Sequence, residues 1–290
     1  RPPVLSCDLE CLTVWECSPA GLSLILPSPY SRWSRSGLNT SDISVSLASE
    51  VSEQLSSMTE SGAGDYFIKD SQILVGDSSN ASASPVSGMF GLIGVGVAMA
   101  IDKNANSSAI EKSSLNQPIK FDQLIHQKIN DSFAQNKADP TLKLLDLNQA
   151  SEVKIVPYSR LSFSEKPVVK VNFGLKTQFK NAADNNADTK RLYHYVSKER
   201  ISLSEWEAQN NLLFMKKADQ AFSALSQVFT LDLQHQLNLK AFDENKQKSC
   251  KTNADTSLVS FIQTPDNLCV GVVKTSKRDV FENSIYIVEQ

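Results

Sequence analysis

Three stretches of this chain alternate apolar with polar residues over the length of a strand, and they follow one another with only short interruptions. They are "SEVKIVPYSRLSFS" (151–164), "KPVVKVNFGLKTQFK" (166–180) and "KRLYHYVSK" (190–198). Successive side chains of a strand point to opposite faces, so each stretch can bury one face and leave the other polar. With "NAADNNADT" (181–189) turning the chain between the last two, the pattern predicts an antiparallel meander.

Helical spacing flanks the meander. Phe121, Leu124, Ile125, Ile129 and Phe133 recur on one helical face, with Pro118 placed to open the helix. Behind the meander, Ser202 with Glu205 and Ser204 with Glu207 both have capping-box spacing. Trp206, Leu213, Ala218, Phe222, Leu225 and Phe229 then mark the expected buried face of a long helix reaching about Leu233. Three closing strands are expected at "SLVSFIQ", "LCVGVVKT" and "SIYIVE", the first two joined by a turn at Thr264–Asn267. The order predicts an α+β fold: an antiparallel sheet with helices packed on one face, preceded by a glycine-rich apolar segment.

The region ahead of this core divides by composition. Residues 1–36 show no lasting period and are left unassigned, expected to be poorly ordered. Residues 37–115 are expected to hold N-terminal strands (Ile43, Val45 and Leu47; Tyr66-Phe67-Ile68; Ile73-Leu74-Val75), polar linkers and the glycine-rich segment. Residues 116–290 are expected to form the α+β domain. The first residue is Arg1 rather than Met, so a leader would lie upstream of it. Val4-Leu5-Ser6-Cys7 only partly matches a lipid-attachment pattern.

The glycine-rich segment is "SGMFGLIGVGVAMAID" (87–102). Gly91, Gly94 and Gly96 suggest a dinucleotide fingerprint, but the final glycine would fall on Met99 and no strand precedes it. No cofactor is expected. The stretch is also shorter than the roughly 20 residues that span a bilayer as a helix. Met89, Phe90, Gly91, Leu92, Ile93, Gly94, Val95 and Gly96 are therefore candidate contacts with a membrane surface or a partner, or a buried element.

Other chemistry lacks an anchor. Asp102, Asn104 and Asn106, like Asp184, Asn186 and Asp188, have the opening spacing of a calcium loop, but neither continues with the required Gly and Glu. His126, His194 and His235 fall on three separate elements, and no zinc-protease, serine-hydrolase or phosphate-loop motif occurs. No metal is expected. A net charge of −3, with no local run of Lys and Arg, offers no footprint for nucleic acid. Of the five cysteines, Cys250 and Cys269 form a candidate disulfide, and strand register from the Pro265 turn places Cys269 opposite Val259–Gln263.

The glycine-rich "FGLIGVGVAMAID", the following "NSSAIEKS", a short amphipathic helix, the meander, Tyr195, Trp206 and a long helix ending "TLDLQ" together resemble uncharacterised bacterial cell-envelope proteins, many of them predicted lipoproteins. The architecture is also similar to the auxiliary lipoproteins of ABC-type lipid transporters. The resemblance spans about residues 85–235 and supplies no active-site residues. It implies a non-enzymatic binding or assembly protein of a Gram-negative envelope, in the periplasm or at the periphery of the inner or outer membrane. Its partner would be an envelope protein or a membrane surface, with any small-molecule ligand unknown. The alternatives are a cytoplasmic location, a hydrolase whose site is assembled in space around His194 and an acid, and an auxiliary subunit of a lipid or toxin exporter.

Overall fold

The computed structural model describes residues 42–45, 66–77, 108–146, 149, 151–165, 168–179, 189–237, 240–241, 258–263, 268–273 and 284–290. All lie within one compact unit, Gly37–Gln290; the other unit is Arg1–Ser36. The strands are β1 (Asp42–Val45), β2 (Tyr66–Phe67), β3 (Ile73–Asp77), β4 (Lys143–Leu145), β5 (Val153–Glu165), β6 (Val168–Phe179), β7 (Thr189–Ser202), β8 (Lys240–Ala241), β9 (Leu258–Gln263), β10 (Leu268–Val273) and β11 (Ile285–Glu289). Helix α1 is Asp122–Gln135 and α2 is Leu203–Leu233, and a single helical turn occupies 108–111.

The fold is α+β around one sheet, in the order β2-β3-β5-β6-β7-β11-β10-β9-β8, with β1 pairing both β4 and β5. The meander β5–β6–β7 is antiparallel throughout, as its alternation requires. The sheet as a whole is mixed, which corrects the expectation of a purely antiparallel one. β11 runs parallel to β7, while β3 and β1 run parallel to successive halves of one edge of β5. The mixture follows from strand order: β11 lies between β10 and β7, antiparallel to the first and parallel to the second, and β10 pairs antiparallel with β9. The described strands β1, β2 and β3 thus belong to the same sheet as those of residues 116–290.

Period two sorts the meander's side chains. Val153, Ile155, Leu161 and Phe163 of β5, Val169, Val171, Phe173 and Leu175 of β6, and Tyr193 and Tyr195 of β7 join the buried residues of α1 and α2 in one cluster. At its centre Phe121, Phe173 and Phe222 meet with ring centroids 4.9–6.3 Å apart, an arrangement that adds to the burial of their area. Val156, Tyr158 and Leu192 face the other way and form a separate buried group.

Helix α1 opens at Asp122, four residues after Pro118, and not at the proline. Its cap comes from a distant side chain: the Phe121 N–H donates to Gln72 Oε1, and Gln72 Nε2 donates to Asp122 Oδ1 at 2.8 Å. The other carboxylate oxygen of Asp122 is buried with no hydrogen-bond partner among the described residues, and burial raises the group's pKa. The two helices lie against each other through Lys128 and Asp219 (2.7 Å) and through Ser132 Oγ donating to Thr230 Oγ1 (2.9 Å).

Candidate interaction site at the helix kink

Helix α2 begins with a complete capping box. Glu205 N–H donates to Ser202 Oγ, and Ser202 N–H donates to Glu205 Oε2 at 2.8 Å. Of the two spacings in the sequence, Ser202 with Glu205 is the pair that caps. Trp206 then buries its ring completely and donates from Nε1 to the Val169 carbonyl of β6 at 3.0 Å. Its polar anchor is therefore β6.

Immediately afterwards the helix breaks. Ala208 is extended (ψ 146°), and Gln209, Asn210 and Asn211 take φ of 53°, 57° and 64°, the left-handed region. Each such residue costs roughly 1–2 kcal/mol relative to a right-handed turn, somewhat less for Asn. The turn is held from outside. Asn211 is buried; its Nδ2 donates to the Ser114 carbonyl at 3.2 Å, and its Oδ1 accepts from Ser114 Oγ. Ser114 N–H also donates to Glu207 Oε2 at 3.1 Å. Ile110 and Leu115, on either side of this latch, are buried in the main cluster.

The break resets the helical phase. In an unbroken helix at about 100° per residue, position 213 would return to within about 20° of Trp206, and position 214 would lie about 80° away. With the left-handed turn between them, Trp206 and Phe214 are both fully buried. Leu213 turns outward, which corrects its assignment to the buried face. Leu212, Leu213 and Met215 are 57%, 40% and 38% exposed, the exposed large hydrophobics among the described residues. Three such side chains within four residues, directly after a turn that costs energy to hold, form an apolar surface.

Beneath it lies a buried ionic cluster. Lys217 Nζ donates to Glu199 Oε1 at 2.7 Å and to Glu289 Oε1 at 2.8 Å. Tyr195 donates its hydroxyl to Glu289, and burial followed by that carboxylate pushes the phenol's pKa up. Ser197 donates to Glu199 Oε2 at 2.6 Å. Burial pushes the Glu199 carboxyl up, but the bonds from Lys217 and Ser197 outweigh it and hold the group at about 2. The cluster ties α2, β7 and β11 together below the kink. The far end of α2 is tied in the same way, with Arg191 and Tyr193 both donating to Asp232.

Of the residues singled out from sequence, Met89 through Gly96, Cys250, residues 1–36 and both calcium-like loops lie outside the described residues. Cys269 is fully buried, disulfide-bonded and paired in register with Gln263, inside the expected range. His126 Nε2 lies 3.1 Å from the Leu145 carbonyl, His194 stacks on Tyr286 with centroids 4.8 Å apart, and His235 is exposed beyond α2. Among the described residues no group of three His, Cys, Asp or Glu could hold a metal, and no helix is long and apolar enough to cross a membrane. The kink has one trace in the sequence: Gln209-Asn210-Asn211 puts three polar residues where a helix face would otherwise continue. Compared with known protein families, curated proteins and solved structures, the chain matched none.

Proposed function

We propose that the chain is a non-enzymatic binding or assembly protein of a Gram-negative envelope, working in the periplasm, and that it grips an envelope protein through Leu212, Leu213 and Met215. The carrying observation is that trio, held outward by a latched left-handed turn. A hydrophobic surface fixed on a rigid turn loses little entropy on binding, which favours a partner presenting an apolar helix face. The buried disulfide at Cys269 supports an oxidising compartment. The resemblance to envelope proteins points the same way.

The test is site-specific photo-crosslinking from position 213 in cells, with Leu212→Glu and Met215→Glu as the control background. The reading expects a discrete adduct with one envelope protein that disappears in the double variant. No adduct, or adducts only with lipid or with a second copy of the chain, would overturn it. Both substituted positions are exposed, so the variants should fold as the parent does.

A further inference from the structure

The sheet face turned away from the helices carries a charge pattern that the linear sequence hides. From the Lys154 row to the Ser162 row its positions are Lys154, Val156, Tyr158, Arg160 and Ser162 on β5, and Lys170, Asn172, Gly174, Lys176 and Gln178 on β6. On β7 they are Lys190, Leu192, His194, Val196 and Arg200. None is acidic, in a chain whose net charge is −3. Glu165 enters only one row further out, opposite Val168.

The charges crowd at one corner. β7 bulges between its pairings with Asn172 and Lys170, so that Val196 opposes Asn172 and Arg200 opposes Lys170. Two cations directly across a ladder repel each other, and sheets normally avoid the pairing. Lys170 is half-buried, and burial together with Arg200 lowers its pKa. Among the described residues neither half-buried Lys170 nor exposed Arg200 makes an ion pair, whereas the buried Lys217 has two carboxylates. Ser162 opposes Lys170 from β5, and Gly76 opposes Ser162 from β3. The Arg160 guanidinium reaches across to this row: a Cβ on Gly76 would sit 2.7 Å from its Nε. Gly76, Ser162, Lys170 and Arg200 thus form one row across four strands, about 14 Å at ordinary strand spacing. Arg160 flanks it, and the Asn172 amide lies one row inward. Bulges recur where a sheet re-aims side chains for binding.

We propose that this corner binds a phosphate group, with Lys170 and Arg200 supplying two facing positive charges and Ser162 a hydroxyl between Lys170 and Arg160. A dianion or diester placed there relieves the repulsion between the two cations, and Arg offers the paired donors that phosphate oxygens accept. Nothing in this depends on the apolar trio, which lies on the helical side of the sheet.

Two arms of one experiment separate a free phosphate from a lipid headgroup, using the full chain. In the first, thermal unfolding is followed with inorganic phosphate against chloride at matched ionic strength. In the second, the protein is floated with phosphatidylcholine vesicles, with and without phosphatidylglycerol. The expected result is a phosphate-dependent rise in Tm, or co-flotation confined to the anionic vesicles, weakened at least tenfold in Arg200→Gln and in Lys170→Gln. Without phosphate, both variants should match or exceed the parent's Tm, because each removes one of two repelling charges. A phosphate effect with no flotation assigns a soluble ligand, and flotation assigns a headgroup. No response in either arm, or responses equal in parent and variants, would overturn the site.

Discussion

Three consecutive residues set the character of this molecule more than any others. Gln209, Asn210 and Asn211 are left-handed without being glycine, and only Asn211 is buried, so strain at 209 and 210 can be probed without disturbing the core. Glycine populates this region freely, while a β-branched residue is pushed out of it by its own Cβ substituents. Asn210→Gly should therefore stabilise the protein by roughly 0.5–1 kcal/mol, and Asn210→Val should destabilise it by about 1–2 kcal/mol. In an ordinary helix interior the signs differ, since glycine costs about 1 kcal/mol relative to alanine there. Equilibrium denaturation of the two variants distinguishes the cases, and a destabilising glycine would show that the turn is right-handed in solution. This residue-scale strain also explains the error at Leu213. Counting seven residues on from Trp206 assumes an uninterrupted helix, and periodicity carries no phase information across a break.

At the scale of elements, helix α2 is placed by its polar ties as much as by its apolar stripe. Lys217 sits among buried side chains, and a stripe analysis would read it as an intrusion; its two carboxylates come from the end of β7 and from β11, far apart in sequence. Removing one partner of a buried ion cluster leaves the rest uncompensated, at a cost of about 3–5 kcal/mol. Lys217→Met should show that loss at neutral pH. The pH response should also reverse. In the parent, Glu199 is held below its ordinary value of 4.5, so its contribution is complete above 4.5 and is lost as pH falls toward about 2. In the variant, Glu199 and Glu289 lose the cation between them, so protonating one relieves repulsion and acidification from neutrality should recover stability. Denaturant unfolding across a pH series reads both slopes; a variant that parallels the parent at every pH would show that the carboxylates do not depend on Lys217. The meander, the presence of both helices and the far end of α2 at Leu233 were legible because local periodicity encodes them. The bulge in β7, the Gln72 cap and this cluster were not, since each depends on partners that no window of sequence contains. The basic corner was hidden differently: its cations come from three strands, so no run of Lys and Arg marks it.

For the whole molecule, what escaped the sequence was the way the pieces close. The strand content of residues 37–77 and of the final fifty residues was readable, yet pattern alone did not show β3 and β11 docking parallel on opposite flanks of the meander. That closure puts the last strands under constraint, and the disulfide at Cys269 bears on it directly. Cys269 is the second residue of β10, paired with Gln263 on one side and Val288 on the other. Cys250 is the cysteine nearest in sequence, between β8 and β9, and β8 already lies beside β9 through Lys240 and Phe261. From there Ala241 to Cys250 spans nine residues, ample chain to return toward β10. We propose Cys250 as the partner. Such a bridge closes a loop of about 19 residues and contributes about 3 kcal/mol in the chain-entropy description. Peptide mapping without reductant should recover Cys250 linked to Cys269, and reduction should lower the unfolding free energy by a similar amount while β5–β7 keep their amide-exchange protection. Linkage of Cys269 to Cys7, Cys11 or Cys17 would refute the pairing, and a free Cys269 thiol in protein isolated under alkylating conditions would remove the disulfide's support for an oxidising compartment.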